Sequence, residues 1–345
     1  MAYTTINKSS LFMNTKLYTG NGGTNNITGV GFKPDLVWTK QRTDAADHRL
    51  YDIVRGVYKQ IASNTNAAEE TSNTTLTAFG SDGFSLGSNA DANQNAKNFA
   101  SWNWKAGTAV SGNTTGSGTS KSYSGSVNTT AGFSIIKYTG NGAAGHTIPH
   151  RLGVTPSTIF VKMTSDTGDW SSYHSALGNT KYMRLSGSGT STTSSTYWNN
   201  TSPNSTNFTV GTTGNLNGNN STFIAYCFAD VKGYSKIGGY TGNANTNGTF
   251  VYTGFKPTFV MFKATASNES WQIYDTKRNP ANALGEYLNP NNTSAAANNS
   301  NFVDYLSNGF KLRTTDGGVN SSQLYVYMAF GQSLVGSNGI TAKAR

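Results

Sequence analysis

The chain is poor in the residues that most often carry chemistry. It holds one cysteine, Cys227, in 345 residues, which excludes an intrachain disulfide by arithmetic. Cys227 sits in the apolar run Phe223-Ile224-Ala225-Tyr226-Cys227-Phe228, a setting for a small buried side chain more than for a nucleophile. Charged residues make up only 12% of the chain, and four glutamates, Glu69, Glu70, Glu269 and Glu286, are all there are. Acids are scarcer than bases, 16 against 26, for a formal charge of +10. The bases stand singly, as at Lys33, Lys40, Arg42, Arg49, Arg55 and Lys59, and form no dense block. That distribution describes a basic solvated surface with weak attraction to anionic polymers, not a specific nucleic-acid footprint. No apolar run approaches the roughly 20 residues of a membrane-spanning helix. The start, Met1-Ala2-Tyr3-Thr4-Thr5-Ile6, lacks the basic-then-apolar order of a signal peptide. The expectation is a protein made in a cytoplasm, without signal peptide or membrane insertion.

What the chain does have is Gly, Asn, Ser and Thr, punctuated by aromatic residues at recurring positions. One phrase occurs three times: Gly31-Phe32-Lys33-Pro34-Asp35-Leu36-Val37-Trp38-Thr39-Lys40, then Leu152-Gly153-Val154-Thr155-Pro156-Ser157-Thr158-Ile159-Phe160-Val161-Lys162, then Gly254-Phe255-Lys256-Pro257-Thr258-Phe259-Val260-Met261-Phe262-Lys263. Each copy follows a Tyr-Thr-Gly-Asn turn, at Tyr18, Tyr138 and Tyr240. A proline corner and an apolar run ending in lysine read as a strand entered through a fixed turn. Repeats this long are tandem domains, not solenoid turns, and each unit is large enough for a core of its own. The expected fold is all-β: three tandem antiparallel β-sandwich domains of jelly-roll or lectin-like type. Their expected limits are 1–107, 121–233 and 234–345, the last with a C-terminal tail. Residues 108–120, rich in Gly, Ser and Thr, read as a flexible linker or a long hairpin.

Within each unit a short strand carries a repeated tyrosine, at Tyr51, Tyr173 and Tyr274, read as packing. Period-two alternation follows in Ser81-Asp82-Gly83-Phe84-Ser85-Leu86-Gly87, Asn207-Phe208-Thr209-Val210-Gly211 and Asn308-Gly309-Phe310-Lys311-Leu312. The units close on aromatic strands, Phe99 to Trp104, Phe223 to Phe228 and Tyr325 to Phe330, expected mid-sheet and buried on both faces.

Several motifs that resemble active sites dissolve on comparison. Gly140-Asn141-Gly142-Ala143-Ala144-Gly145 has the dinucleotide spacing, but His146-Thr147-Ile148-Pro149-His150 follows in place of the required helix. Gly83-Phe84-Ser85-Leu86-Gly87 has the nucleophile-elbow letters, yet its serine becomes Thr209 and Lys311 in the other units. His146 and His150 cannot share a helical face across Pro149, and no calcium loop of alternating acids is present. The glutamates fall at no shared position, and Asp52 and Asp275 correspond to His174, so no carboxylate pair for glycoside cleavage is repeated. No catalytic residue, metal or cofactor is expected; an enzyme is disfavoured.

Aromatic rings beside small polar residues suit sugar stacking. Most of the tryptophans, Trp38, Trp102, Trp104, Trp170 and Trp271, lie in apolar strand patterns and read as core. Trp198, in Tyr197-Trp198-Asn199-Asn200-Thr201, has a loop-like neighbourhood, so Trp198, Tyr197 and Asn199 are the candidate glycan or partner contacts.

Five phrases carry a family resemblance: the opening Met1 to Ile6; Tyr226-Cys227-Phe228-Ala229-Asp230-Val231-Lys232-Gly233-Tyr234-Ser235-Lys236; Ile273-Tyr274-Asp275-Thr276-Lys277-Arg278-Asn279-Pro280; and, like that family's final repeat, Leu306-Ser307-Asn308-Gly309-Phe310-Lys311-Leu312-Arg313 and Tyr327-Met328-Ala329-Phe330. The chain resembles repeat-domain structural proteins of marine tailed bacteriophages, usually described as tail fibre or lectin-like β-sandwich proteins. The resemblance implies a virion location, other virion proteins as partners in a symmetric assembly, and a host-surface glycan as ligand. It supplies no catalytic residues. A fibre usually has a shaft or trimerising helix, and the chain shows no apolar heptad run. The expected function is therefore a non-enzymatic tail fibre or tail appendage on the particle exterior. The alternatives are a capsid decoration or head-fibre protein and, from another class, a polysaccharide-degrading tail enzyme.

Overall fold

The computed structural model describes residues 4–334. The chain is all-β, with 44% of residues in strands and 5% in short helical turns. Its strands pair antiparallel into six sheets among the described residues, two from each sequence repeat; one is larger in each, by strand number in the first two repeats and only by strand length in the third, where both sheets have four strands. The C-terminal tail beyond residue 334 and Met1 to Tyr3 lie outside the described residues.

The larger sheets share one plan. The closing strand is central, flanked by the strand that enters the Tyr-Thr-Gly-Asn turn and by the strand of the repeated phrase. In the first repeat these are Asn98–Trp104 between Met13–Thr19 and Leu36–Gln41. In the second, Thr222–Phe228 lies between Phe133–Thr139 and Thr158–Met163. In the third, Leu324–Gln332 lies between Ser235–Thr241 and Lys256–Ala264. The strand with the repeated tyrosine follows, as Arg49–Asp52, Ser171–His174 and Gln272–Asp275.

Strand alternation then sorts the side chains. On one face of each larger sheet, residues such as Val37, Tyr51, Ile159, Tyr173, Val260 and Tyr274 join apolar residues of the smaller sheet in a cluster belonging to that repeat. The other face carries Trp38, Leu50, Trp102, Phe160, Ile224, Tyr226, Met261, Ile273 and Met328, and these merge into a single cluster drawn from all three repeats. With both faces covered, the phrase and closing strands are buried over nearly their whole length, as their near-continuous apolar sequences require.

The stretch 108–120 is not a flexible linker but the hairpin arm. Thr108–Asn113 pairs with Ser122–Asn128, which adds two strands to the second repeat's larger sheet, and Thr115–Gly116 pairs with His146–Pro149. Polar composition does not prevent this, because the ladder needs only backbone groups, while the facing arm supplies the buried Tyr123 and Val127.

Candidate functional site

The Tyr-Thr-Gly-Asn phrase is held by a buried amide in each repeat. The hydroxyls of Tyr18, Tyr138 and Tyr240 donate to the carbonyls of Ala92, Leu216 and Val319 at 2.6, 2.7 and 2.6 Å. The residues that follow, Asn93, Asn217 and Asn320, are fully buried. Their Oδ1 atoms accept from the backbone N–H of Asn21, Asn141 and Asn243 at 3.0, 2.9 and 3.1 Å. Their Nδ2 atoms donate to backbone carbonyls, Gly23 and Gly87, Ala143 and Gly211, Asn245 and Thr314. The glycine of the phrase is obligatory: a Cβ at Gly20, Gly140 or Gly242 would stand 2.2–2.4 Å from a backbone oxygen. The dinucleotide-like string at Gly140 is this corner, with no phosphate cradle in it.

A second set of contacts joins the repeats head to tail. Lys40, Lys162 and Lys263, the lysines that end the repeated phrase, are fully buried. Each ammonium donates to the carbonyl of its own next residue, Gln41, Met163 or Ala264, at 2.7, 2.7 and 2.8 Å. Each also reaches a carbonyl of another repeat: Lys40 to Thr293 at 3.2 Å, Lys162 to Asn66 at 3.3 Å, Lys263 to Ser188 at 3.0 Å. The direction is cyclic, first repeat to third, second to first, third to second. Burial lowers all three lysines to about 8.

Two further contacts run in the same direction, and a third joins the remaining pair of repeats with donor and acceptor reversed. Trp102 Nε1 donates to Asp275 Oδ2 at 3.0 Å, first repeat to third, and the Tyr226 hydroxyl donates to Asp52 Oδ2 at 2.8 Å, second to first. The equivalent residue of the third closing strand is Met328, which has no donor. There the facing position holds His174, whose Nε2 donates to the Tyr327 carbonyl at 3.3 Å. This explains why Asp52 and Asp275 correspond to a histidine. Each aspartate is also consumed locally by the arginine three residues on, Arg55 or Arg278, and by two backbone N–H groups. Neither is free to act as acid or base. At the ends of the closing strands, Trp104, Phe228 and Phe330 form a triangle of rings with all three centroid separations at 5.9 Å.

A family model described as Domain of unknown function (DUF7483) matches residues 8–333. The chain belongs to the DUF7483 family. The match begins before Met13–Thr19 and ends after Leu324–Gln332, so the DUF7483 unit is the whole closed set of repeats and not one of them. No curated protein and no solved structure matches the chain.

The sequence-predicted contacts within this DUF7483 chain lie elsewhere than expected. Trp198 is 1% exposed and packs edge-on against Tyr173 at 5.7 Å, so it is a core residue and its ring presents no face to solvent. Tyr197 is also buried, stacked on Tyr182, and only Asn199 reaches the surface. The cause is the short helix Ser195–Trp198, capped by the Ser194 side chain, which turns both rings inward. Cys227 is buried as expected, and burial raises its thiol to about 12. His146 and His150 are buried apart, His146 between Thr114 and Asn217, His150 on the Asn204 carbonyl. The repeated tyrosines Tyr51, Tyr173 and Tyr274 are buried. Among the described residues large exposed hydrophobic side chains are few, and the most exposed of them is Tyr252.

Proposed function

We propose that this chain is a non-enzymatic structural protein on the exterior of a bacteriophage particle, of the tail-fibre or tail-appendage type, and that it meets host-surface glycans. Its architecture in this reading is three tandem β-sandwich domains, closed into a ring about a pseudo-threefold axis. The observation that carries it is the equal-sided ring triangle of Trp104, Phe228 and Phe330, surrounded by the cyclic lysine contacts. Head-to-tail interfaces close into a ring when the rotation permits, usually between separate copies. Here one chain does so covalently, which yields a rigid block suited to a fixed place in a larger symmetric particle. The shared carboxylates, Asp52 and Asp275, are spent on arginine, indole and phenol partners, which weighs against glycoside cleavage.

The self-closed ring also favours a second reading, a capsid decoration or head-fibre protein. A block that completes its own threefold core needs no sister copies to be stable. Cryo-EM of purified particles separates the two: density at the tail is expected, and density confined to the head would overturn the first reading in favour of the second. Incubation with host surface polysaccharide tests the enzymatic alternative. No new reducing ends above a heat-killed control are expected, and their release would reverse the non-enzymatic assignment.

A further inference from the structure

The outer face of the third repeat's smaller sheet departs from its counterparts. The edge strand Phe250–Tyr252 turns Val251 into the core and presents Phe250 and Tyr252 outward, 43% and 61% exposed. The next strand, Gly309–Leu312, sets Lys311 opposite Phe250 and Gly309 opposite Tyr252. Beyond it, Asp304 and Leu306 continue the two rows. A side chain at Gly309 would come within 3.1 Å of Phe250 Cε2, so that ring lies over the space the glycine leaves, and the two rows make up the outer plate of this sheet.

Neither other repeat carries rings here. The registers Ile27 with Phe84, Ile148 with Phe208 and Val251 with Phe310 make Asn26 and Thr28, and Thr147 and Pro149, the corresponding residues. Asn26 accepts from the Ser85 hydroxyl at 2.7 Å, and Thr147 bonds Thr115 at 2.6 Å, so those faces satisfy themselves. The fold thus does not need aromatic residues at these positions, and two adjacent exposed rings are a feature that ordinary solubility disfavours. Among the described residues the Tyr252 hydroxyl, the Asn308 amide and the Lys311 ammonium make no hydrogen bond or ion pair. The nearby acid is already taken: Asp304 accepts from Arg313 Nε at 2.6 Å. What remains free beside the rings is a cation, on a chain of charge +10.

We propose that this plate binds an acidic polysaccharide. A sugar ring lies with its C–H face on Tyr252 and Phe250, Lys311 takes a carboxylate or sulfate group, and Asn308 and the Tyr252 hydroxyl bond sugar hydroxyls. The inference rests on the reading that the protein meets host-surface glycans and names the site and the ligand class.

The test uses the full chain in affinity electrophoresis against polygalacturonate, chondroitin sulfate and neutral dextran. The wild type should be retarded by at least one acidic polymer and not by dextran. The double variant F250N/Y252T installs the first repeat's residues at the same strand positions, so it should keep the wild-type melting temperature while losing at least about tenfold in affinity. Lys311→Gln should weaken retention and reduce its dependence on salt. Retention by neither acidic polymer, equal retention of wild type and F250N/Y252T, or dextran binding as strong as acidic binding would each overturn the proposal. So would a wild-type dimer that F250N/Y252T converts to monomer in sedimentation, since the plate would then be covered by a second copy. None of these results bears on where the protein sits on the particle, which the cryo-EM localisation decides separately.

Discussion

The Tyr226 hydroxyl and the Asp52 carboxylate, 174 positions apart in sequence, meet at 2.8 Å in a region closed to solvent. The carboxylate also holds Arg55, whose Nη2 donates to the Leu50 carbonyl at 2.9 Å. This contact between the first two repeats is therefore a fully buried ion pair completed by a phenol. Tyr226→Phe should cost about 1–3 kcal/mol, because one acceptor position is left unfilled. Asp52→Asn should cost more, about 3–5 kcal/mol, because the buried Arg55 charge loses its close counter-ion and keeps only Glu69, at 3.4 Å. Urea unfolding of the two variants measures the order, and an equal or reversed cost would refute the account.

The three buried lysines give the protein an alkaline signature. Burial holds each at about 8 in the folded chain, against roughly 10.4 for a free lysine. Between those values the unfolded chain binds more protons, so stability rises with pH across the window and the gain is lost as pH falls through about 8. The buried tyrosines, whose hydroxyls burial raises, oppose the trend only above about pH 10. Unfolding free energy should therefore be higher at pH 9.5 than at pH 7.5, by on the order of 1 kcal/mol per lysine. Replacing all three with methionine should flatten the slope, while each single replacement at neutral pH is expected to be close to neutral or stabilising.

The corner amides should be costly to remove. Asn217→Ala orphans the N–H of Asn141 and the carbonyl of Gly211 and leaves the Ala143 carbonyl with only the His146 N–H, so a loss of about 2–4 kcal/mol is expected. Asn93→Ala and Asn320→Ala should behave alike, since the three amides make corresponding bonds. Chemical denaturation of the three variants, with an exposed control such as Asn113→Ala, compares them directly. A loss confined to one repeat would show that the corners are not equivalent.

Trp198 is predicted to matter for stability alone. Trp198→Ala should cost about 3–5 kcal/mol, the usual range for emptying a buried indole site. Trp198→Phe, which keeps most of the packing against Tyr173, should leave any glycan retention unchanged. Loss of retention in a folded Trp198→Phe protein would restore this residue to the binding surface.

Much of the scaffold was readable because its cause is local or repeats in register. The proline corners, the alternating strands and the aromatic closing strands carry their own signals, and the buried asparagines could have been found by the same alignment of copies. Trp198 shows the limit of that method. Its neighbours Asn199, Asn200 and Thr201 are polar, but the direction of its ring is set by one helical turn and by Tyr173 twenty-five positions away. Phe250 and Tyr252 were missed for the opposite reason: an apolar strand pattern reads as burial, and no layer among the described residues covers them.

The sequence by itself determined an all-β chain of three similar units, since turn chemistry and side-chain alternation act within a few residues. It also displayed the lysine that ends each repeated phrase and the exchange of Asp52 and Asp275 for His174. What those residues do was decided by tertiary structure alone. A lysine ending an apolar strand is equally compatible with solvent and with burial until the next repeat's carbonyl is in place. Closure into a ring depends on how three sheets fit against one another, and that fit is a property of surfaces brought together from positions more than a hundred residues apart.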